Sequence, residues 1–335
     1  MTHGAAHTAP PPAAAPDGAA WLRHMRRGAW SEAWAESDAV LRARALLSCR
    51  HLPRHQQWVW DGTPPDGRRL LVRCYHGLGD TIQFVRFAPE LRRRGAEVTF
   101  WAQPALLPLL ATAPGVDRLL PLHDGVPDVA YDMDVEVMEL AHVVRAAPET
   151  VGRHVPYLRA DPAPVPRDGR LAVGLAWDCG DWLRERRAVP FPLLAPLAAV
   201  EGVRLHVLQR GPGLAQAATH PAFDCAVGSD DVLQTARVMR ALDLVISVDT
   251  MPAHLAGALG VPVWTLVPHD PDWRWMAGRE DSPWYPTMRL FRQPSPGAWE
   301  PVIARVAGEL ARLVRGRRAG RGAAPAATLL PPATP

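Results

Sequence analysis

The chain has 335 residues, 48% of them hydrophobic, and a formal net charge of +3; that length and apolar content suffice for two domains of ordinary size, while the charge is too small to imply nucleic acid or a membrane as the main partner. Lysine is absent and all 37 basic residues are arginine, so every permanent side-chain cation is a planar fork suited to phosphate. The four cysteines, Cys49, Cys74, Cys179 and Cys225, form no CxxC pair, which excludes zinc-ribbon and dithiol redox motifs and suits a reducing, cytoplasmic setting.

Residues 1–17 are rich in Ala, Pro and His, a composition that predicts disorder. They lack the basic start and unbroken apolar run of a secretory signal, and no stretch of about 18 apolar residues predicts a membrane-spanning helix. Over 18–50 the pattern predicts a helical hairpin. Trp21, Leu22 and Met25 form one apolar face, Gly28 interrupts it, and Ala33, Trp34, Val40 and Leu41 continue on a second helix. The pair looks like one tetratricopeptide-type unit. One unit cannot build a solenoid, so it is expected to pack on the domain that follows.

From Arg69 the pattern becomes α/β. A strand is predicted over 70–75, a glycine turn at 77–80, a helix over 81–94 that ends at Gly95, a strand over 97–101, a short helix over 104–111 and a strand over 119–122. A proline-rich linker is expected at 161–168. The alternation then restarts, with strands at 171–177, 204–209, 244–248 and 261–267 and helices at 192–200, 232–242 and 252–259. A long amphipathic helix is predicted over 299–314, with Val302, Val306, Leu310 and Leu313 on one face, and 316–335 reads as a disordered basic tail. Strand–helix–strand alternation of this kind predicts parallel βαβ units.

Four motifs carry candidate chemistry. Gly77-Leu78-Gly79-Asp80-Thr81 joins a strand to a helix and lets a ligand approach backbone. It lacks the third glycine of a dinucleotide fingerprint, which argues against an NAD enzyme. Asp80 is either a helix cap bonded to the N–H of Ile82 or Gln83, or a general base at the carboxyl end of a strand, where α/β sheets place ligands. Asp249-Thr250-Met251-Pro252-Ala253-His254 opens another helix, whose N-terminus is a ready phosphate site; His254 is either a ligand contact or a core histidine. Arg184, Arg186 and Arg187 follow Trp177-Asp178, either clamping a diphosphate or lying solvated. Trp273-Arg274-Trp275 and Trp284-Tyr285 either stack on a base or sugar or pack at a domain interface.

At these residues the chain resembles glycosyltransferase family 9, the ADP-heptose:lipopolysaccharide heptosyltransferase type, and within it the branch in which that domain follows tetratricopeptide repeats. The stretches that carry the resemblance are HGLGDTIQFVRFAPELRRRGAEVTFW, LDLVISVDTMPAHLAGALGVPVWTL and DWRWMAGREDSPWYPTMRLFRQ, and similarity runs over about 54–314. The resemblance implies an α/β GT-B fold, two Rossmann-like parallel-sheet domains facing a cleft: an acceptor domain over 51–160, a nucleotide-sugar domain over 169–297, and a last helix, 298–315, that returns to the first domain. It implies an inverting transfer of a sugar from a nucleotide-diphosphate donor to a hydroxyl of a glycan, lipid-linked or protein acceptor, with no metal or other cofactor. The implied location is cytoplasmic, at most peripheral at the inner membrane face, with a role in cell-surface glycan synthesis. Residue by residue, Asp80 matches the family's proposed base, while Asp249, Thr250 and His254 match its donor motif. Arg187, with Arg186 second, matches its diphosphate-neutralising residue, and Gly77, Gly79 and Trp177 are candidate contacts to donor or acceptor. Met251 stands where the family motif has glycine. The alternative is a non-catalytic binding or scaffold protein on a degenerate copy of the same fold.

Overall fold

A computed structural model describes residues 18–45, 47–49, 51–53 and 57–319; the disorder expected for 1–17 and for 320–335 lies outside the described residues. The helical hairpin is present as Gly18–Arg27 and Trp30–Arg44. Gly28 breaks it at φ +80°, a left-handed conformation that other residues adopt at a cost, and a side chain there would strike Met276. Trp30 and Trp34 lie one turn apart on the same face and are both buried.

The N-terminal half holds four parallel strands, β1 (Arg69–Arg73), β2 (Glu97–Ala102), β3 (Arg118–Pro121) and β4 (Met133–Glu136), in the order β3-β2-β1-β4. The C-terminal half holds six parallel strands. They are β5 (Leu171–Ala176), β6 (Val203–Val207), β7 (Phe223–Asp224), β8 (Leu244–Val248), β9 (Val263–Val267) and β10 (Met288–Arg292), in the order β10-β9-β8-β5-β6-β7. The central strands β1, β5 and β8 are nearly unbroken apolar runs because helices cover both faces of a parallel sheet. The two sheets are the two domains of a GT-B architecture.

Several expectations change. Strands β4, β7 and β10 were not predicted. Asp134 and Glu136 dilute the apolar signal of β4, β7 is two residues long, and Arg289 and Arg292 interrupt β10. The helix expected at 81–94 starts at Leu78 instead and is broken by a tight turn, Val85–Phe87, before it resumes over Ala88–Arg93. Arg184–Arg187, expected as loop, closes a single helical turn. The linker is not a free tether: Ala163 and Val165 are buried, and the Ala163 N–H donates to the Arg237 carbonyl at 2.9 Å.

The last helix, Glu300–Ala319, runs four residues past the expected end at 315 and so takes up the start of the tail. Val302, Val306 and Leu310 are buried, as their stripe requires, but they pack with Leu171, Leu194, Leu197 and Leu205. All of these belong to the C-terminal half, so the expected return to the N-terminal half is corrected. What joins the halves is the core itself. One apolar cluster runs without a break from Trp30 and Trp34 through Phe84 and Phe100 to Leu255, Trp275 and Trp284.

Candidate functional site

Two strand–turn–helix corners meet at the seam. In the first, β1 leads through Cys74-Tyr75-His76 to Gly77, which caps the helix Leu78–Phe84. In the second, β8 leads through Asp249 to Thr250, which caps the helix Met251–Ala258 with its own hydroxyl not engaged in the cap. Pro252 at the second helical position loses nothing, because the first turn has no internal partners for its N–H groups. The two helices pack directly on one another. Gly79 is what permits it: a Cβ there would lie 2.8 Å from His254 Cδ2.

Asp80 is a cap, though not the expected one. Its Oδ2 accepts from the Gly77 N–H at 3.0 Å, reaching back along the turn instead of forward to Ile82 or Gln83. Its Oδ1 accepts from Arg274 Nη2 at 2.6 Å, across the seam. The carboxylate is 24% exposed, so both oxygens hold partners and one side stays open to solvent. Arg274 is buried and also donates to Gln83 Oε1 at 2.7 Å and Asp272 Oδ1 at 2.9 Å.

On the C-terminal side the structure brings Arg187, Asp249, Thr250 and His254 together. Arg187 donates to the Asp249 carbonyl, lies 3.9 Å from the Asp249 carboxylate and stacks over Trp182. Asp249 is buried, and burial pushes its carboxyl above the usual carboxylate range against the pull of Arg187. His254 is buried against Trp275, its Nδ1 is 2.9 Å from the Tyr285 hydroxyl and its Nε2 3.9 Å from Asp249. Burial, reinforced by Arg274, Arg86 and Arg187, holds the imidazole well below its ordinary pKa, so it is neutral at pH 7.

Two candidates do not join them. Arg186 is 57% exposed and sits 3.6 Å from Asp270, which Arg26 of the hairpin also contacts. Trp177 is 1% exposed, with its ring among Phe191 and Phe223 in the C-terminal core, so it cannot stack on a ligand at the seam. Arg184 is spent on Asp178, at 2.7 Å. The aromatic segment packs at the interface: Trp284 lies 4.8 Å from Trp30 and 5.8 Å from Phe84, and its backbone carbonyl accepts from buried Arg86 at 2.7 Å.

Sequence reasoning missed Arg274, Gln83, Arg86 and Glu136. The first three act through contacts about 65 to 200 positions away in the chain, for which the local pattern holds no signal. Glu136 ends the unpredicted strand β4, accepts from the Met138 N–H at 3.0 Å and from the Tyr75 N–H at 3.4 Å, and is pushed up to about 8 by burial. Among the described residues no group of three or more His, Cys, Asp or Glu is arranged to hold a metal ion, and no helix is long and apolar enough to cross a membrane.

No family model matches the chain. Protein FlbA of Caulobacter vibrioides is 27% identical over 288 residues, 74% of this chain and 47% of that protein, so the chain spans about half the length of this curated relative. The solved glycosyl transferase family 9 protein of Veillonella parvula superposes with a TM-score of 0.54 at 13% identity, over 76% of this chain and 99% of that one. Escherichia coli ADP-heptose lps heptosyltransferase II gives 0.52 at 15% identity, over 75% and 99%. At these identities the likeness is one of fold, and the fold is GT-B.

Proposed function

We propose that the chain is an inverting glycosyltransferase, moving a sugar from a nucleotide-diphosphate donor to an acceptor hydroxyl. The observation that carries the reading is the meeting of two chemically different corners. A partly open carboxylate, Asp80, stands on the acceptor side. A helix N-terminus flanked by Arg187 stands on the donor side. Asp80 takes the proton from the acceptor hydroxyl as its oxygen attacks the anomeric carbon. The bond to the diphosphate breaks in the same step. The charge that develops on the leaving group is met by Arg187 and the first-turn N–H groups of Met251–Ala258. Neutral His254, fixed by Tyr285 and Trp275, contributes shape and a hydrogen bond without adding charge.

Heptosyl or hexosyl transfer into a cell-surface glycan, in the cytoplasm or at the inner membrane face, is the finer form of the proposal. It draws support from the fold shared with heptosyltransferase II and needs no metal. The second reading, a non-catalytic binding protein on this fold, is favoured by two observations: both Asp80 oxygens already hold partners, and Met251 occupies the first helical position where the family motif has glycine. A panel of nucleotide sugars separates the two. Donor binding with turnover on an added acceptor supports transfer, binding without turnover supports the second reading, and no binding overturns both.

A further inference from the structure

We infer that Arg274 is the positioning residue for Asp80, so that the proposed base is assembled only when the C-terminal half delivers its cation across the seam. This rests on the transfer reading above and adds a residue to it. Each guanidinium nitrogen of Arg274 has a different acceptor: Nη2 holds Asp80 Oδ1 at 2.6 Å, Nε holds Gln83 Oε1 at 2.7 Å and Nη1 holds Asp272 Oδ1 at 2.9 Å. The planar fork is further fixed between the Trp273 ring, 4.6 Å from the guanidinium carbon, and the Phe84 ring at 5.4 Å. Asp80 and Gln83 lie on the N-terminal helix Leu78–Phe84, Asp272 and Trp273 on the C-terminal half. The arginine therefore joins the halves at the carboxylate that has to receive the proton.

The geometry gives Arg274 a defined task. An aspartate carboxylate turns freely about its last bond, and the Gly77 N–H anchors only Oδ2. With Oδ1 tied to a buried, immobile cation the carboxylate plane is fixed and the remaining lone pairs are aimed. A ligand-bound arginine would need exposure, whereas this one is 7% exposed and each of its three nitrogens already donates to a side chain. The segment that carries it is itself held: Trp21 of the hairpin packs 5.4 Å from Trp273, and the Ala277 N–H donates to the Arg26 carbonyl at 2.9 Å. Lysine could supply the charge but not the three-way fork.

The test measures transfer and donor binding, with the donor found in the nucleotide-sugar panel, for the wild-type chain, R274Q, R274K, D80N and the double variant D80N/R274Q. Because an orienting group acts on the proton-transfer step, kcat of R274Q is expected to fall at least about 30-fold while donor Kd moves less than about 3-fold. R274K should recover only part of that loss. In the D80N background the second change should cost nothing further in kcat, since residues acting as a unit are non-additive; a merely structural arginine would multiply its loss onto that of D80N. Crystal structures of R274Q and R274K should show the Asp80 carboxylate rotated. Full activity in R274Q, multiplying losses, or an unmoved carboxylate overturns the inference and leaves the transfer reading standing. Unchanged turnover in D80N removes Asp80 as base and this inference with it, as does a wild-type chain that transfers no sugar.

Discussion

The corners at Asp80 and Asp249 share one local design: an apolar parallel strand, an aspartate, and a helix whose N-terminus faces the seam. Their carboxylates differ in what reaches them from elsewhere. Asp80 has a cation at 2.6 Å and keeps a quarter of its surface in water. Asp249 is buried, its nearest cationic nitrogen is 3.9 Å away, and its carboxyl is pushed upward. A solvent-accessible carboxylate suits proton acceptance, and a buried one suits holding a turn. On the proposed reading the same grammar yields a base in one half and an anchor for the donor site in the other, and the two carboxylates differ through their burial and through Arg274 and Arg187, not through the motifs.

The sharpest way to break the comparison is to remove the charge from each corner in turn. Asp80→Asn keeps an acceptor for the Gly77 N–H but turns its amide toward the buried Arg274 guanidinium and cannot take the proton, so turnover should fall on the order of 100-fold with donor binding nearly unchanged, while the melting temperature drops because a donor now faces a buried cation. Asp249→Asn should show the reverse order, perturbing donor affinity before the chemical step; single-turnover kinetics beside calorimetry separate the two. A smaller effect is expected where the corners touch. Gly79→Ala places a methyl against His254, and overpacking of this kind costs about 1–3 kcal/mol, read as a lower unfolding midpoint in urea. An unchanged midpoint would mean that the seam opens freely. Smaller again, Arg187→Ala should weaken nucleotide-diphosphate binding by about 10-fold while nucleoside binding changes little, because a single charge-assisted contact is lost. Equal loss for both ligands would place Arg187 away from the phosphates.

Much of this was legible in the sequence. Two blocks of parallel βαβ units follow from strand–turn–helix alternation, the GT-B arrangement of those blocks is what the resemblance to glycosyltransferase family 9 implies, and the corners follow from Gly77-Leu78-Gly79-Asp80 and Asp249-Thr250, because strand ends and helix starts are encoded within a few residues. Arg187 was legible as a cation near a strand's end. Trp177 and Arg186 were misjudged because adjacency to a motif says nothing about which way a side chain turns: Trp177, just past the end of β5, turns into the C-terminal core against Phe191 and Phe223, and the short turn leaves Arg186 outside. Arg274 was visible only as one letter in an aromatic segment. Its role depends on a contact 194 positions away in the chain, which no periodicity reports. The final helix misled for a related reason. Its apolar stripe fixed that it would be buried, but not against which half.

The smallest effect concerns a third carboxyl at a strand's end, and it tests whether burial alone separates Asp249 from Asp80. Glu136 ends β4, beside β1, and like Asp249 it is buried, with His76 Nε2 at 3.6 Å. Burial raises it from 4.5 to about 8. A carboxyl whose folded pKa is raised binds its proton more tightly in the folded chain than in the unfolded one. Its contribution to stability is therefore fully present below about 4.5 and is lost as pH rises through about 8. The unfolding midpoint should consequently drop between pH 6 and pH 9. Glu136→Gln, which keeps the acceptor for the Met138 N–H and carries no titrating proton, should flatten that drop while changing little below about pH 4.5. Equal slopes in Glu136→Gln and the wild-type chain would show that burial at this edge does not hold the proton, and the contrast drawn between Asp80 and Asp249 would then have to rest on their arginines alone.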